Sequence, residues 1–137
     1  MLGIIKQDIS THMPKPKIDK QVHHIYDNLF RQNVYYILSP DQKELVKIAK
    51  ERLNIDLKER DHTEGRFLTA EKSGCMVGII WTSNRNSWII AHEVTHATCW
   101  ILDNKGIPLT FETEEVYCYM NQFLFREIWE YLQRRFK

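Results

Sequence analysis

The chain has 137 residues, of which 19 are Lys or Arg and 18 are Asp or Glu. This length fits one domain around one hydrophobic core and leaves no room for a second catalytic domain. The balanced charge excludes a strong electrostatic attraction to nucleic acid or to an acidic membrane, so we do not expect either as a partner.

The three cysteines, Cys75, Cys99 and Cys118, are odd in number and form no CxxC pair. They predict neither a disulfide framework nor a thiolate zinc site, and they are typical of a reducing compartment. The opening MLGIIKQDIS turns polar too soon for a signal peptide, and no apolar run approaches the length of about 18 residues that spans a membrane. We therefore expect a soluble cytoplasmic protein.

The first third of the chain gives mixed structural signals. Residues 1–20 contain the prolines of MPKPKIDK, which predict an extended or weakly ordered arm before a single domain over residues 21–137. Periodicity leaves open whether residues 21–38 form a helix and then a strand, or one irregular helix. A clearer helix follows, with Ser39 as the predicted N-cap and with Pro40 at the first helical position.

The middle of the chain predicts strands. Short apolar runs at residues 55–57, 67–68 and 76–81 alternate with charged or glycine-containing stretches, which predicts a small antiparallel sheet. Two helices follow, over about residues 88–104 and 112–135. Apolar residues surround the first of them, so we expect a buried central helix in an α+β fold.

The predicted buried helix carries the segment HEVTHA. His92 and His96 are four residues apart, so their rings project from one face of a helix and can bind one metal ion. Glu93 lies about 100° around the helix from His92, where its carboxylate can act as a general base on water. Burial of polar side chains on an apolar helix costs free energy unless they have partners, and a metal ion would be such a partner.

A catalytic zinc ion usually takes three protein ligands and leaves one position for water. No histidine follows His96 in the sequence, so the third ligand is predicted to be a carboxylate. Asp103 lies about 10 Å along the same helix from His96 and cannot share its ion. The acids of FETEEVYCYM, namely Glu112, Glu114 and Glu115, remain. Two imidazoles, a carboxylate and an open position favour Zn²⁺ over other metals.

HEVTHA, followed after 18 residues by Glu115, resembles the gluzincin branch of the zincin metallopeptidases. The resemblance implies a minimal zincin-like domain, in which the C-terminal helix supplies Glu115 rather than Glu114 as the third ligand. The stretch from Ser87 to Met120 also resembles small HExxH proteins encoded by phages or prophages, which would place the chain in a host cytoplasm. The chain lacks the large second domain of the well-characterised gluzincins.

The same resemblance implies a mechanism. Glu93 would assist the attack of a zinc-bound water on a peptide bond of a protein or peptide substrate. Tyr119 is our candidate for stabilising the developing oxyanion, with Tyr117 and His62 as alternatives. The strand before the helix, residues 75–81, would run along the sheet edge and pair with the substrate.

The leading hypothesis is therefore a zinc-dependent metallopeptidase of unknown substrate. The alternative is a catalytically silent, zinc-stabilised binding or regulatory module, such as a phage factor that engages a host protein. A DNA-associated protease of the SprT type is a third hypothesis, against which the neutral charge and the missing downstream histidine count. The sequence does not fix the oligomeric state.

Overall fold

A computed structural model describes residues 19–60 and 63–136, and these two ranges contain four strands and three α-helices. In chain order the elements are β1 (Val22–Asp27), β2 (Gln32–Leu38), α1 (Gln42–Ile48), β3 (Gly65–Lys72), β4 (Cys75–Thr82), α2 (Ser87–Asn104) and α3 (Glu114–Arg135). One turn of π-helix, Ala49–Leu53, continues α1. The predicted α+β class is confirmed. The predicted N-terminal arm lies, up to residue 18, outside the described residues.

The four strands form one mixed sheet in the order β1-β2-β4-β3. β1 with β2 and β3 with β4 are antiparallel hairpins, whereas β2 and β4 run parallel, with Val34 opposite Gly78. The prediction of an antiparallel sheet is therefore wrong for the central pair. Turn signals reveal which consecutive strands form hairpins, but the order of two hairpins in a sheet depends on tertiary packing.

For residues 21–38 the sequence left open a helix followed by a strand, or one irregular helix. These residues form the β1-β2 hairpin. Val34 and Tyr36 of β2 belong to one buried cluster and Ile37 to another, so neighbouring side chains alternate between the two faces of the sheet. Both faces of β2 carry apolar side chains because both faces of the sheet are covered. The alternation of polar and apolar residues that marks a half-exposed strand is therefore absent from the sequence.

The two clusters correspond to two helical layers. α1 and the π-turn cover one face, where Leu45 and Ile48 pack with Trp81. α2 and α3 cover the other face, where Tyr36 and Ile80 are completely buried. The sheet is thus the middle layer of three, and α2 lies in an outer layer.

The N-terminus of α1 differs from the prediction. Asp41 is the N-cap, and its carboxylate accepts a hydrogen bond from the backbone N–H of Glu44 at 2.8 Å. Ser39 is buried instead, where its hydroxyl accepts a hydrogen bond from Trp81 Nε1 at 2.8 Å. Leu45 and Ile48 form the buried side of α1. Residues 55–57, which we expected in a strand, belong to no strand.

α2 begins and ends where the sequence predicts, but it is only half buried. Its inner face packs between the sheet and α3 through Ile90, Glu93, Val94, Ala97, Thr98, Ile101 and Leu102. His92 and His96 are exposed, on the opposite face. The prediction of a buried helix is wrong because an outer-layer helix always keeps one side free for solvent, whatever its composition.

Within the described part of the chain, no helix has both the length and the apolar character needed to cross a membrane. α3 begins two residues later than predicted, at Glu114, and ends at Arg135 as expected. Glu114 and Glu115 occupy its first turn, and Arg134 and Arg135 its last, so the charges of both ends match the helix dipole.

Candidate metal centre

The exposed face of α2 brings two imidazoles together. The Nε2 atoms of His92 and His96 are 3.3 Å apart, and the two rings meet edge to face. In a tetrahedral zinc site with Zn–N bonds of about 2.0–2.1 Å, two nitrogen ligands lie about 3.3 Å from each other. The separation of the two rings therefore fits a shared zinc ion, with both Nε2 atoms directed at it.

Glu93 stands beside this pair but has a different environment. It is 6% exposed, and its Oε1 lies 3.7 Å from His92 Nε2. Its Oε2 is buried and has no hydrogen-bond partner among the described residues. Burial raises the pKa of the Glu93 carboxyl, and the nearby His92 and His96 only partly oppose this rise. The Glu93 carboxylate thus has an increased proton affinity. It lies next to two imidazole nitrogens that could bind a metal ion.

Taken together, His92, Glu93 and His96 form a group whose potential ligand atoms all lie within 4.8 Å of one another. The two imidazole nitrogens and the carboxylate could hold a metal ion. This arrangement follows from helix geometry, because positions i and i+4 share a face whereas position i+1 turns toward the sheet.

Strand β3 is the element that covers Glu93. A side chain added at Gly65 would place its Cβ 2.8 Å from Ile89 Cγ2 and 3.0 Å from Glu93 Cγ. Only a glycine therefore lets the beginning of β3 lie this close to α2. Gly65 was not among the predicted site residues, although a glycine in a strand can mark a place where another backbone approaches closely.

Among residues 19–60 and 63–136, β3 pairs with β4 on one side only, so it is an edge strand of the described sheet. The prediction that residues 75–81 form the edge is wrong, since β4 lies between β2 and β3. The Ser83 N–H donates to Glu64 O at 2.8 Å, just before the first paired residues of β3. The alternation of an antiparallel ladder then turns the backbone groups of Gly65, Phe67, Thr69 and Glu71 away from β4. Beside Glu93, the sheet thus offers a free edge.

Contacts with neighbouring elements fix the position of α2. Trp100, one turn after His96, packs against Phe67 of β3, with ring centroids 5.8 Å apart. On the other side, the buried Thr98 hydroxyl donates to Asn121 Oδ1 of α3 at 2.6 Å. Ala91 and Trp129 line one groove near the other end of the helix pair, so α2 and α3 run antiparallel.

This register places Glu115 away from the histidines. Because Thr98 faces Asn121, Glu115 lies level with the end of α2, about 12 Å along the helix axis from His96. Glu114 is seven residues before Asn121 and faces α2, but along the helix axis it is as far from His96 as Glu115 is. Neither Glu114 nor Glu115 belongs to the group of converging ligand atoms found among the described residues.

The predicted oxyanion donors also lie elsewhere. Tyr119 is 55% exposed and lines a depression with Asp27, Asn28, Leu29 and Phe123. It is about 200° around α3 from Asn121, so it faces away from α2. The Tyr117 hydroxyl donates to Ile107 O at 2.6 Å. His62 lies outside the described residues.

Comparisons with protein families, with curated proteins and with solved structures found no match to this chain. The resemblance to zincins consequently rests on HEVTHA and on the spacing of the acids that follow it. Any functional argument has to start from the geometry of α2 and β3.

Proposed function

We propose that this protein is a zinc-dependent hydrolase that cleaves peptide bonds in a protein or peptide substrate. The observation that carries the proposal is the arrangement of His92, His96 and Glu93. Two imidazole nitrogens lie 3.3 Å apart, and a buried carboxylate with a free oxygen stands beside them. A purely structural role would not explain why Glu93 Oε2 has no hydrogen-bond partner among the described residues, since buried polar groups are normally satisfied.

The chain's own residues have distinct tasks in this proposal. His92 and His96 hold zinc, which supplies a Lewis acid that polarises a carbonyl and acidifies water. Glu93 accepts a proton from that water at its carboxylate and passes it to the departing amine. Its pKa, which burial raises, suits this task because a stronger base takes the proton more readily.

The edge of β3 provides a binding surface for an extended substrate. Its outward backbone groups, which start at Gly65 next to Glu93, can form the ladder of hydrogen bonds that an added strand requires. Main-chain pairing of this kind is tolerant of sequence, so it supports peptide-bond hydrolysis more than cleavage of another amide. The substrate would lie along β3 with one peptide bond above α2.

Glu115 remains the third ligand that the family resemblance implies. Binding through Glu115 requires the first turn of α3 to move toward the histidines, because the register keeps it about 12 Å along the helix axis from His96. Zinc retention in Glu115→Ala, compared with Glu114→Ala, would decide whether either residue contributes.

A second candidate function is a catalytically silent, zinc-stabilised binding module. The exposure of both histidines favours it, as does the absence, among the described residues, of any converging ligand other than the buried Glu93. In such a module zinc would support an interaction instead of a reaction, and Glu93 would have no task.

Peptide cleavage by wild type and by Glu93→Gln separates these functions. Both proteins are loaded with zinc, kept at a concentration where they are monomeric, and incubated with a peptide mixture from digested bacterial proteins, and new termini are identified by mass spectrometry. We expect cleavage by wild type and a loss of about 10²- to 10⁴-fold in Glu93→Gln. Glu130→Gln, an exposed change on α3, is the matched control and should cleave like wild type. Equal cleavage by Glu93→Gln and wild type, or none by either, would contradict the hydrolase proposal.

A further inference from the structure

The exposed face of α2 continues beyond the histidines with two more metal-binding side chains. His92, His96, Cys99 and Asp103 are all exposed. At about 100° per residue, the four positions lie within about 60° of the helix circumference. We call these four residues the ligand stripe. It consists of two pairs, each four residues apart: a pair of imidazoles, then a thiol with a carboxylate.

One chain cannot bring the two pairs of the ligand stripe to a single ion. The midpoint of His92 and His96 lies seven residues from the midpoint of Cys99 and Asp103, or about 10 Å along the helix. This distance agrees with the converging group, which contains neither Cys99 nor Asp103. An antiparallel α2 helix from a second copy can bring its own Cys99 and Asp103 to the ion held by His92 and His96.

We infer that zinc joins two copies of this chain through their ligand stripes. A two-fold axis that crosses α2 between Ala97 and Thr98 places His92 of one copy opposite Asp103 of the other, and His96 opposite Cys99. The midpoint of each histidine pair then coincides with the midpoint of the facing Cys99 and Asp103 pair. Each dimer would hold two zinc ions, each bound by two imidazoles, one thiolate and one carboxylate.

The ligand chemistry matches this arrangement. Two nitrogens, one sulfur and one oxygen are all common zinc ligands, and four protein ligands form a closed tetrahedral site. One thiolate and one carboxylate balance the double charge of the ion. Thr95 and Trp100 lie at equal distances on either side of the crossing point, so the small Thr95 of one copy would face the half-buried Trp100 of the other. This pairing suits an interaxial distance of about 10 Å, within ordinary helix packing.

The same axis would cover exposed apolar side chains at both ends of α2. Trp88 precedes the stripe and is 69% exposed. In the second copy, the residue opposite Trp88 is Ile107, in the loop where Leu109 is 64% and Phe111 91% exposed. Burial of these side chains would add an apolar rim on each side of the metal sites. The surface therefore suits a second copy of this chain.

Such a dimer would regulate the hydrolase. This inference rests on the part of the proposed function that places zinc at His92 and His96. A closed set of four protein ligands leaves no position for water, so the dimer would be inactive and the monomer active. Dissociation of the dimer would remove Cys99 and Asp103 of the second copy from each ion and free those positions for water.

The test uses zinc chloride alone as the probe. Metal-free wild type is kept in a non-thiol reductant to exclude disulfides, titrated with zinc, and followed by sedimentation velocity and native mass spectrometry. We expect a monomer without zinc and a dimer with two zinc ions after titration. Cys99→Ser and Asp103→Asn should stay monomeric at concentrations where wild type is dimeric. Cys118→Ser changes another exposed cysteine and should dimerise like wild type.

Complementation makes the test specific. A chain with His92→Ala and His96→Ala still has one half of a site, and a chain with Cys99→Ser and Asp103→Asn has the other half. Neither should dimerise alone, whereas their mixture should form a heterodimer with one zinc ion. Cobalt in place of zinc should give a thiolate charge-transfer absorption in this heterodimer. A mixture that stays monomeric would overturn the inference.

The outcomes separate this inference from the hydrolase proposal. Zinc bound only by a monomer would overturn the dimer and leave the hydrolase intact. A zinc-linked dimer, combined with no peptide cleavage by the monomeric Cys99→Ser chain, would support the dimer and contradict the hydrolase. If wild type binds no zinc, both are wrong.

Discussion

Gln42 and Glu93 are buried polar side chains on opposite faces of the same sheet, and their surroundings differ. Gln42 is 8% exposed and Glu93 6%. The Gln42 amide donates to Thr63 Oγ1 and accepts from the backbone N–H of Arg60 and from Arg66 Nη1. Glu93 leaves one carboxylate oxygen buried without any partner among the described residues.

This difference separates a structural polar group from a functional one. The partners of Gln42 join α1 to the segment before β3, so its burial stabilises the fold. The cost of burying Glu93 is not offset by the hydrogen bonds of the folded chain, and such a cost is common where a side chain has to react. The distinction leads to opposite expectations for substitutions on the two faces.

The largest stability effect is expected on the α1 face. Gln42→Ala would remove three hydrogen bonds and leave their partners in a partly buried region, which should lower the free energy of unfolding by about 2 kcal/mol. Urea denaturation measures this change. Lys43→Ala, at the exposed neighbouring position, should stay within about 0.5 kcal/mol of wild type. Similar values for the two variants would show that Gln42 is not a structural anchor.

A smaller effect is expected where β3 meets α2. Gly65→Ala would crowd Ile89 and Glu93, and Gly78→Ala would crowd Trp100 and Phe67. Both should lower stability by about 1–2 kcal/mol through overpacking. Only Gly65→Ala should also reduce peptide cleavage at unchanged zinc content, because it moves the proposed base. Equal loss of cleavage in the two variants would argue against a special role for the contact with Glu93.

Glu93→Gln should raise the stability of the fold, whereas the preceding substitutions lower it. The buried carboxylate has one oxygen without a partner among the described residues and the other 3.7 Å from His92 Nε2. It costs more to bury than a neutral amide of the same shape, so the metal-free variant should be about 1 kcal/mol more stable than wild type at pH 7. Thermal unfolding in a chelator measures this difference, with Glu130→Gln as the surface control. A variant that is less stable than wild type would mean that the carboxylate has a structural partner.

The smallest effect concerns pH and His23. Burial, followed by the charges of Arg134 and His24, lowers the pKa of His23 from 6.5 to about 4. The unfolded chain therefore binds a proton below pH 6.5 that the folded chain takes up only near pH 4. The stability contributed by neutral His23 is complete above pH 6.5 and is lost as the pH falls through this range.

His23→Phe tests this linkage and keeps an aromatic ring for the stack on Tyr131, where the centroids are 4.6 Å apart. Glu127 Oε2 lies 4.0 Å from His23 Nε2 and is the only acid recorded beside it among the described residues. Between pH 7.5 and pH 5, wild type should lose more stability than His23→Phe in urea denaturation. An equal loss would assign the pH dependence to other groups.

The sequence predicted those features that depend on neighbours along the chain. The bounds of α2 follow from turn residues before Ser87 and from Gly106 after it. The convergence of His92 and His96 follows from their spacing on a helix, whatever surrounds them. The position of Glu93, about 100° around the helix from His92, is equally local.

Features that depend on distant segments were not predictable in the same way. The parallel pairing of β2 with β4, and hence the edge position of β3, follows from how two hairpins pack. The exposure of His92 depends on the layer that α2 occupies, which its apolar composition does not reveal. The distance of Glu115 from His96 along the helix axis depends on the register of α2 and α3, which the contact of Thr98 with Asn121 fixes. Spacing along the chain cannot determine that register.

The central claim is that His92 and His96 bind zinc, and metal content tests it most directly. Native mass spectrometry would be applied to wild type, to Glu115→Ala, and to the double variant with His92→Ala and His96→Ala. The account predicts one zinc ion per wild-type chain and none in the double variant, whose exposed substitutions should leave the fold intact. Glu115→Ala would report whether that residue is a ligand. A wild type that takes up no transition metal, or a double variant with undiminished zinc, would contradict the account.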